Sequence, residues 1–533
     1  MRELQRQDYR VFLVSSLDHV MPDQEPRALQ ETCLYAACGE WVHLQVACRT
    51  EIPLQLTMGF RGDIRTYRVE RVPCRRPCNE RRDEDYLFTE PGMYPDRLVE
   101  LEHPGFSPSP DWQSIFVSIR PWETGETELE IACGDDALSL TVRTLPEMVP
   151  LRLHHTEWFH ADCLADYYNV PVFSEEHWKI LENFIRAAAE HGVNMLYTPL
   201  FTPPLDTGEG GERTTVQLVR VSCRDGYTFD YTLLDRWIRL AQRCGIREIE
   251  CSHLFTQWGA KYAPKIMAVN KEGEEVRIFG WDTPGTGEDY LAFLRVFLPS
   301  LREHLEGLGV LEHTWFHISD EPGLQDLPQY ARAVEVVREY LQGCRMLDAL
   351  SHIEFWREGL VQTPVCAIDQ IEPFLEAGVK PLFGYYCTAQ CEKVPNRFIA
   401  MPQRRHRIMG VLLYRAGLQG FLQWGFNFYN SQYSVRHLDP HESTDADGAF
   451  PSGDPFLVYP EEGGVPGESL RGMISKEAVL DYRMLCTLED RIGRPAVEQL
   501  LDRLFPGMSF TSYPRDTAFF HILWDEAGRL MGS

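Results

Sequence analysis

Positive charge is in short supply. The 533-residue chain carries 52 Lys and Arg against 79 Asp and Glu, a formal net charge of −27. Nucleic acid needs a cationic face, so that class of partner is not expected, and a neutral or weakly charged ligand is. Long apolar runs are also missing. Residues 1–20 hold only Val11 to Leu17, interrupted by Ser15 and Ser16 and stopped by Asp18-His19. Neither a signal peptide, a spanning helix nor a membrane partner is expected. A disulfide framework is absent as well. The Cys count is 15, an odd number, and the closest pairs, Cys74/Cys78 and Cys387/Cys391, have no second Cys/His pair at zinc spacing. Free thiols in a reducing cytoplasm and no structural metal are the expectation. No phosphate loop, dinucleotide fingerprint, internal repeat or low-complexity tract occurs, so no cofactor is expected. Oligomeric state is left open.

What is present is the composition of a soluble globular protein, 44% hydrophobic and 25% charged, in a chain too long for one core. Residues 1–145 read as a β-sandwich. Trp41–Ala47, Leu54–Met58, Ser114–Ile119 and Leu138–Val142 alternate in polarity, and Pro-, Arg- and Asp-rich loops separate them. From about residue 150 apolar runs alternate with amphipathic helices, as in parallel β/α units. Eight runs are found, at 151–155, 194–198, 248–252, 314–319, 345–348, 364–368, 381–386 and 420–424. Helical patterns fall between them, the clearest at Glu175 to Glu190 with a His191-Gly192 stop. A (β/α)8 TIM-like barrel over residues 150–490 is therefore predicted. Residues 491–533 are expected to form a C-terminal extension packed on the body, with Phe519–Trp524 as a terminal strand. Two loops are unusually long, Phe201 to Phe229 after the second strand and Gly425 to Glu468 after the eighth. Loops of such length are usually functional when ordered.

The centre of the chain is Thr314-Trp-Phe-His-Ile-Ser-Asp-Glu-Pro-Gly323. An apolar strand runs into two adjacent acids and a turn, which is how a barrel presents catalytic groups at its C-terminal rim. The same acids would also suit helix capping. Many retaining glycosidases of this fold pair an acid after strand four with a nucleophile after strand seven. Here the seventh strand, Pro381-Leu-Phe-Gly-Tyr-Tyr-Cys387, has no carboxylate. Glu392 is farther along, and Asp348 and Asp369, ending strands five and six, remain candidate partners. Adjacent acids suit another chemistry. A 2-acetamido sugar supplies its own carbonyl oxygen as nucleophile, and the enzyme needs one acid/base and one carboxylate to orient the acetamido N–H. Glu321 is assigned the first role and Asp320 the second; their proximity raises one pKa and keeps a proton available. Tyr385 or Tyr386 is expected at the acetamido oxygen and Trp424 under the sugar ring. Asn427, His253, Gln257 and Trp258 are candidate sugar contacts.

Phe316-His-Ile-Ser-Asp-Glu-Pro322 resembles the acid motif of glycoside hydrolase family 123, the β-N-acetylgalactosaminidase family. Gly420–Tyr429, Pro451-Ser-Gly-Asp454 and Leu470-Arg471 resemble its later barrel segments. The resemblance implies a β-sandwich-then-barrel order over about residues 1–490. It implies release of terminal β-linked N-acetylgalactosamine with retention by substrate assistance. The family's catalytic Asp and Glu correspond to Asp320 and Glu321. The partner would be an oligosaccharide or glycoconjugate. Two other readings stand beside it: a glycosidase for another sugar, and a catalytically silent carbohydrate-binding barrel. A metal-dependent hydrolase built on His154, His155, His160 and Asp162 is weaker, because their spacing matches no metal motif.

Overall fold

The computed structural model describes residues 2–532. The N-terminal part is sheet-rich. An eight-stranded sheet contains Tyr9–Ser15, Val42–Thr50, Ser109–Pro121, Gly62–Cys74 and Gly92–Glu100 as successive neighbours, all antiparallel. A five-stranded sheet is built on Cys33–Ala37, Asp136–Leu145, Gly125–Cys133 and Leu54–Gly59. Their alternating apolar residues share one core: Leu13, Leu44 and Val117 from the first sheet meet Leu56, Ile131 and Leu140 from the second. Period-2 alternation is what puts those side chains on one face; on the first sheet the other face carries Phe12, Val14 and Phe116, which are buried in separate clusters.

Eight parallel strands follow: His154–Glu157, Met195–Thr198, Glu248–Cys251, Thr314–Phe316, Arg345–Leu350, Thr363–Ala367, Phe383–Tyr385 and Gly420–Gln423. They are called here the first to eighth barrel strands. From the second onward each pairs with the next, and the eighth pairs back with the first. The barrel is nearly closed. The two ends of the sheet are the first and second strands, and Asn194 bridges them: its N–H donates to His155 O (3.0 Å), its Oδ1 accepts from His155 N (2.8 Å) and its Nδ2 donates to Leu153 O (2.8 Å). The helix Glu175–Glu190 illustrates how the outer layer forms. Ser174 caps it by accepting from His177 N, and Trp178, Leu181, Phe184, Ile185 and Ala188 are its buried stripe. The apolar spacing of three and four residues places that stripe on one face.

The two regions are continuous. After the eighth barrel strand the chain returns to the N-terminal sheet, where Val465–Ser469 pairs antiparallel with Gly92–Glu100, and Tyr459–Glu461 adds an outer strand. Several elements differ from expectation. The first barrel strand begins at His154 rather than Leu151. The segment holding Phe519–Trp524 is a helix, Ala518–Met531, not a strand. A short apolar run does not distinguish the two, and Phe520, Leu523, Trp524, Ala527 and Met531 in fact recur at helical spacing. The loop after the second barrel strand also contains the strands Arg220–Ser222 and Thr228–Asp230, which join Ile266–Val269 and Glu275–Phe279 in a small four-stranded sheet. Among the described residues no helix is long and apolar enough to cross a membrane.

At the seam, Asp96 of the N-terminal sheet and Arg471 of the helix Leu470–Ile492 are both fully buried and doubly hydrogen-bonded at 2.9 Å, and Tyr459 Oη donates to the same carboxylate at 2.7 Å. Removing one partner of a buried pair strands the other charge. Asp96→Ala is therefore expected to cost about 3–5 kcal/mol, read as a lowered urea midpoint. An unchanged midpoint would show that this pair does not hold the seam.

Candidate active site

The fourth barrel strand stops at Phe316, earlier than its apolar pattern suggests. The N–H groups of Ile318 and Ser319 leave the ladder and donate to the Asp348 carboxylate at 3.0 and 3.4 Å. The chain then turns into the barrel mouth. Glu321 takes a left-handed φ of 42°, and its N–H donates to Ala349 O at 3.0 Å. This places Asp320, half-buried, and Glu321, open to solvent, on the wall of a cavity of about 250 Å³ at the C-terminal ends of the strands. Tyr385, at the end of the seventh strand, donates its hydroxyl to Glu321 Oε1 at 2.5 Å.

Beneath the acids lies a buried charge cluster. His317 has no solvent exposure and faces two carboxylates: Nε2 lies 2.7 Å from Glu250 Oε1 and Nδ1 lies 3.1 Å from Asp348 Oδ1. Only the doubly protonated ring donates to both. Burial alone would lower its pKa, but those two bonds hold it up at about 9. Glu250 also accepts from Trp158 Nε1 at 2.9 Å and from Thr156, and Asp348 accepts from the Tyr330 hydroxyl. His253 stacks on His317 with ring centroids 4.1 Å apart. Burial and then the neighbouring cation push it well below the usual histidine range. Asp320 is raised well above the carboxylate range by burial and by Glu321, against the opposing pull of His317. Although the Glu321 side chain reaches solvent, the surrounding wall desolvates its carboxyl and raises it, the Asp369 charge adds to the rise, and the Tyr385 hydrogen bond pulls the other way.

The cavity wall includes Tyr385, Trp424 and Trp258 among the expected substrate contacts, and Gln257 beside them. Trp424 is fixed from behind, its Nε1 donating to Asp454 at 3.1 Å. Asp454 is raised to about 7 by burial. Three expected contacts lie elsewhere. Tyr386 faces the opposite side of its strand and lines a separate small cavity with His155, Glu157 and Phe421; successive strand residues point to opposite faces, so only one of the two tyrosines can reach the mouth. Asn427 is fully buried, and its amide is spent on the His160 backbone, accepting from N at 2.9 Å and donating to O at 3.0 Å. His253 is buried under the site against His317 and Tyr197.

His160 does reach the wall, as a neutral ring. Its Nε2–H donates to Trp424 O at 2.8 Å and its Nδ1 accepts from Arg213 at 2.8 Å. Burial and the Arg213 charge lower its pKa to about 4. Asp162 pairs with Arg213 in the core rather than presenting a ligand, and His154 bonds Glu248 at 2.6 Å. A closer group is His253, His317 and Asp348, whose ligand atoms lie within 4.8 Å of one another. Both nitrogens of His317 already serve carboxylates, so a metal would have to displace that pairing. Of the candidate second carboxylates, Asp348 is buried in the cluster, Asp369 is half-buried outside the cavity wall and accepts from Gln390 Nε2 at 2.9 Å, and Glu392 pairs with Arg81 at 2.7 Å on the surface.

Several wall residues carry no local motif: Trp158, Leu205, Asp206, Tyr433 and Phe450. The two long loops supply four of them, and loop length was the available signal. The N-terminal region also reaches this wall. Arg76 N–H donates to Asp445 Oδ2 at 3.0 Å and Ser452 N–H to Arg76 O at 2.7 Å, on either side of Phe450. Asn79 Nδ2 donates at 2.7 Å to the carbonyl of Thr388, another wall residue.

Paired acids on the wall of an open, aromatic-lined cavity at a barrel rim are the equipment of a glycoside hydrolase. The chain belongs to glycoside hydrolase family 123: the model of the family's catalytic domain matches residues 158–488. A family 123 glycoside hydrolase from Clostridium perfringens, studied for the details of glycolipid glycan hydrolysis, aligns with a TM-score of 0.72 at 16% identity. The alignment covers 98% of this chain and 97% of that one, and at this identity it shows the shared fold. A β-galactosidase from Bacillus circulans sp. alkalophilus aligns only at a TM-score of 0.35 and 11% identity, over 63% of this chain and 56% of that one. That likeness carries no argument. No curated protein matches the sequence.

The His317 cluster has a pH signature. A folded pKa of about 9 lies above the unfolded value near 6.5. Its stabilisation is therefore complete below about pH 6.5 and lost as pH climbs through about 9. Glu250→Gln removes one of the two charges that sustain it. Urea unfolding of both proteins from pH 6 to 10 should show the wild-type advantage shrinking by about 1–3 kcal/mol over that interval. A constant difference would mean that His317 is not charged in the folded protein.

Proposed function

We propose that the enzyme is a retaining exo-glycosidase that releases terminal β-linked N-acetylgalactosamine, the 2-acetamido group of the substrate acting as nucleophile. The observation that carries this reading is Tyr385 bonded to Glu321. At the end of the seventh strand, where a two-carboxylate retaining site would hold its nucleophile, the residue that meets the acid is a phenol. The nucleophile is then supplied by the substrate. Glu321 protonates the glycosidic oxygen as the bond breaks and later draws a proton from water. Asp320 accepts the acetamido N–H, which favours its ionised form and leaves the shared proton on Glu321. The His317 charge below supports that ionisation. Tyr385 is the tyrosine of its pair that faces the cavity and is assigned to the acetamido oxygen. Trp424, braced by Asp454, is assigned to the face of the sugar ring.

On this reading the sheet-rich region is a β-sandwich, residues 1–145, and the nearly closed barrel a (β/α)8 catalytic domain, residues 150–490, with 491–533 as a helical extension. The likeness to the Clostridium perfringens enzyme supports glycolipid or other glycoconjugate glycans as the substrate class. The 15 free cysteines favour a reducing, cytoplasmic setting.

A panel of aryl glycosides tests the reading. Turnover is expected on the β-N-acetylgalactosaminide, with a thiazoline mimic of the cyclised intermediate as inhibitor. Activity confined to β-glucoside or β-galactoside would overturn it. Glu321→Gln should lower kcat/KM by about 100-fold or more on poor leaving groups and far less on activated ones. Asp320→Asn should impair both. Tyr385→Phe removes a hydrogen bond that stabilises the ionised Glu321, so the Glu321 pKa rises further. The alkaline limb of kcat/KM against pH is expected to move to higher pH, and a shift to lower pH would count against Glu321 as the acid.

A further inference from the structure

The chemistry above uses the deep part of the cavity and leaves its mouth unexplained. Two aromatic side chains stand there, Trp258 and Tyr433, each 42% exposed, whereas Trp158, Tyr385 and Phe450 in the same wall are 4%, 5% and 7% exposed. Their rings meet edge to face, centroids 6.1 Å apart and planes at 90°. They come from different loops, one after the third barrel strand and one after the eighth.

Both residues sit at left-handed backbone angles, φ 60° for Trp258 and 61° for Tyr433, as does Asp206 at 39°. Such angles are costly for residues other than glycine and persist where surrounding bonds hold them. The bonds here are specific. Trp258 N–H donates to Asp320 O at 2.7 Å, so this ring is tied to the catalytic backbone. Tyr433 N–H donates to Asp206 Oδ2 at 3.2 Å, and the Ser434 hydroxyl donates to Asp206 O at 2.9 Å. Asp206 in turn donates its N–H to Gln257 Oε1 at 2.8 Å, beside Trp258. One residue therefore joins three loops and sets the two rings against each other.

We infer that Trp258 and Tyr433 form the leaving-group subsite, receiving the sugar ring on the far side of the scissile bond, and that Asp206 is a positioning residue for both. A cavity of about 250 Å³ is smaller than the usual drug-sized pocket and has room for about one sugar residue. The next ring of an oligosaccharide must lie at the mouth. Aromatic faces wet on one side suit the C–H face of a pyranose, and they present large area with little rotamer freedom to lose. The inference rests on the reading of Glu321 as proton donor to the leaving-group oxygen, since that places the leaving group on the mouth side.

The test compares two substrates with one glycone: a disaccharide, whose leaving group is a sugar, and the glycosyl fluoride, whose leaving group has no ring. Trp258→Ala and Tyr433→Ala are expected to lower the ratio of kcat/KM on the disaccharide to that on the fluoride at least tenfold, mostly through KM. Asp206→Ala should do the same, and Asp206→Asn, which keeps an acceptor for Tyr433 N–H, should retain most of the ratio. Equal losses on both substrates, or an unchanged ratio in the two aromatic variants, would overturn the subsite. An Asp206→Asn ratio as low as that of Asp206→Ala would overturn the positioning role. The glycone is whichever one wild-type enzyme turns over, so failure of the N-acetylgalactosamine reading shows in the choice of sugar, and failure of the subsite shows in the ratio.

Discussion

A single imidazolium between two carboxylates organises the catalytic end of this barrel. His317 draws Glu250 and Asp348 together beneath the mouth, and Asp348 also captures the backbone N–H groups of Ile318 and Ser319. That capture ends the fourth strand and turns Asp320 and Glu321 into the cavity. Charge and backbone geometry are thus one arrangement: the cation that neutralises the buried acids also favours an ionised Asp320. Burial raises both acids at the mouth, and the positive group beneath them opposes that rise at Asp320.

The wall around the acids is held by a second layer of buried polar contacts. Arg397 pairs with Glu157 at 2.8 Å and also donates to Gln423, at the top of the eighth strand, and to the Gly425 carbonyl. Burial would raise the Glu157 pKa, but the guanidinium pulls it down to about 2. Trp424 stands between this layer and the cavity. Residues that look like candidate catalysts in a list of ionisable groups, such as His253, Asp348 and Glu157, are spent holding the ones that touch solvent.

Much of the barrel was legible because its strands are short apolar runs separated by amphipathic helices, and the count of eight survives intact. The acid pair was legible because Asp-Glu-Pro-Gly is a strand end, a pair of charges and a turn in succession. Tyr385 and Tyr386 could not be separated, since a one-residue shift in where the strand begins exchanges their faces. Asn427 and His253 were polar residues near the rim whose hydrogen bonds point inward, which no local pattern reveals. Asp206 and Tyr433 were hidden for a different reason: their role arises from a contact 227 residues apart in sequence. The terminal helix was misread as a strand because a six-residue run with five apolar side chains fits both periods.

The return of the chain from the eighth strand to the N-terminal sheet has a consequence for how the enzyme comes into being. Residues 73–79, made early, grip the loop carrying Phe450 and the carbonyl of Thr388. The link from Arg76 to Asp445 spans 369 residues, a separation that makes such contacts late and slow to form. During synthesis the acids of the fourth strand would exist for some time beside an unfinished wall, with the aromatic floor and the loop over it still to arrive. Hydrolytic competence would then be among the last properties the chain acquires, and turnover would serve as a readout of completed assembly of both regions rather than of the barrel alone.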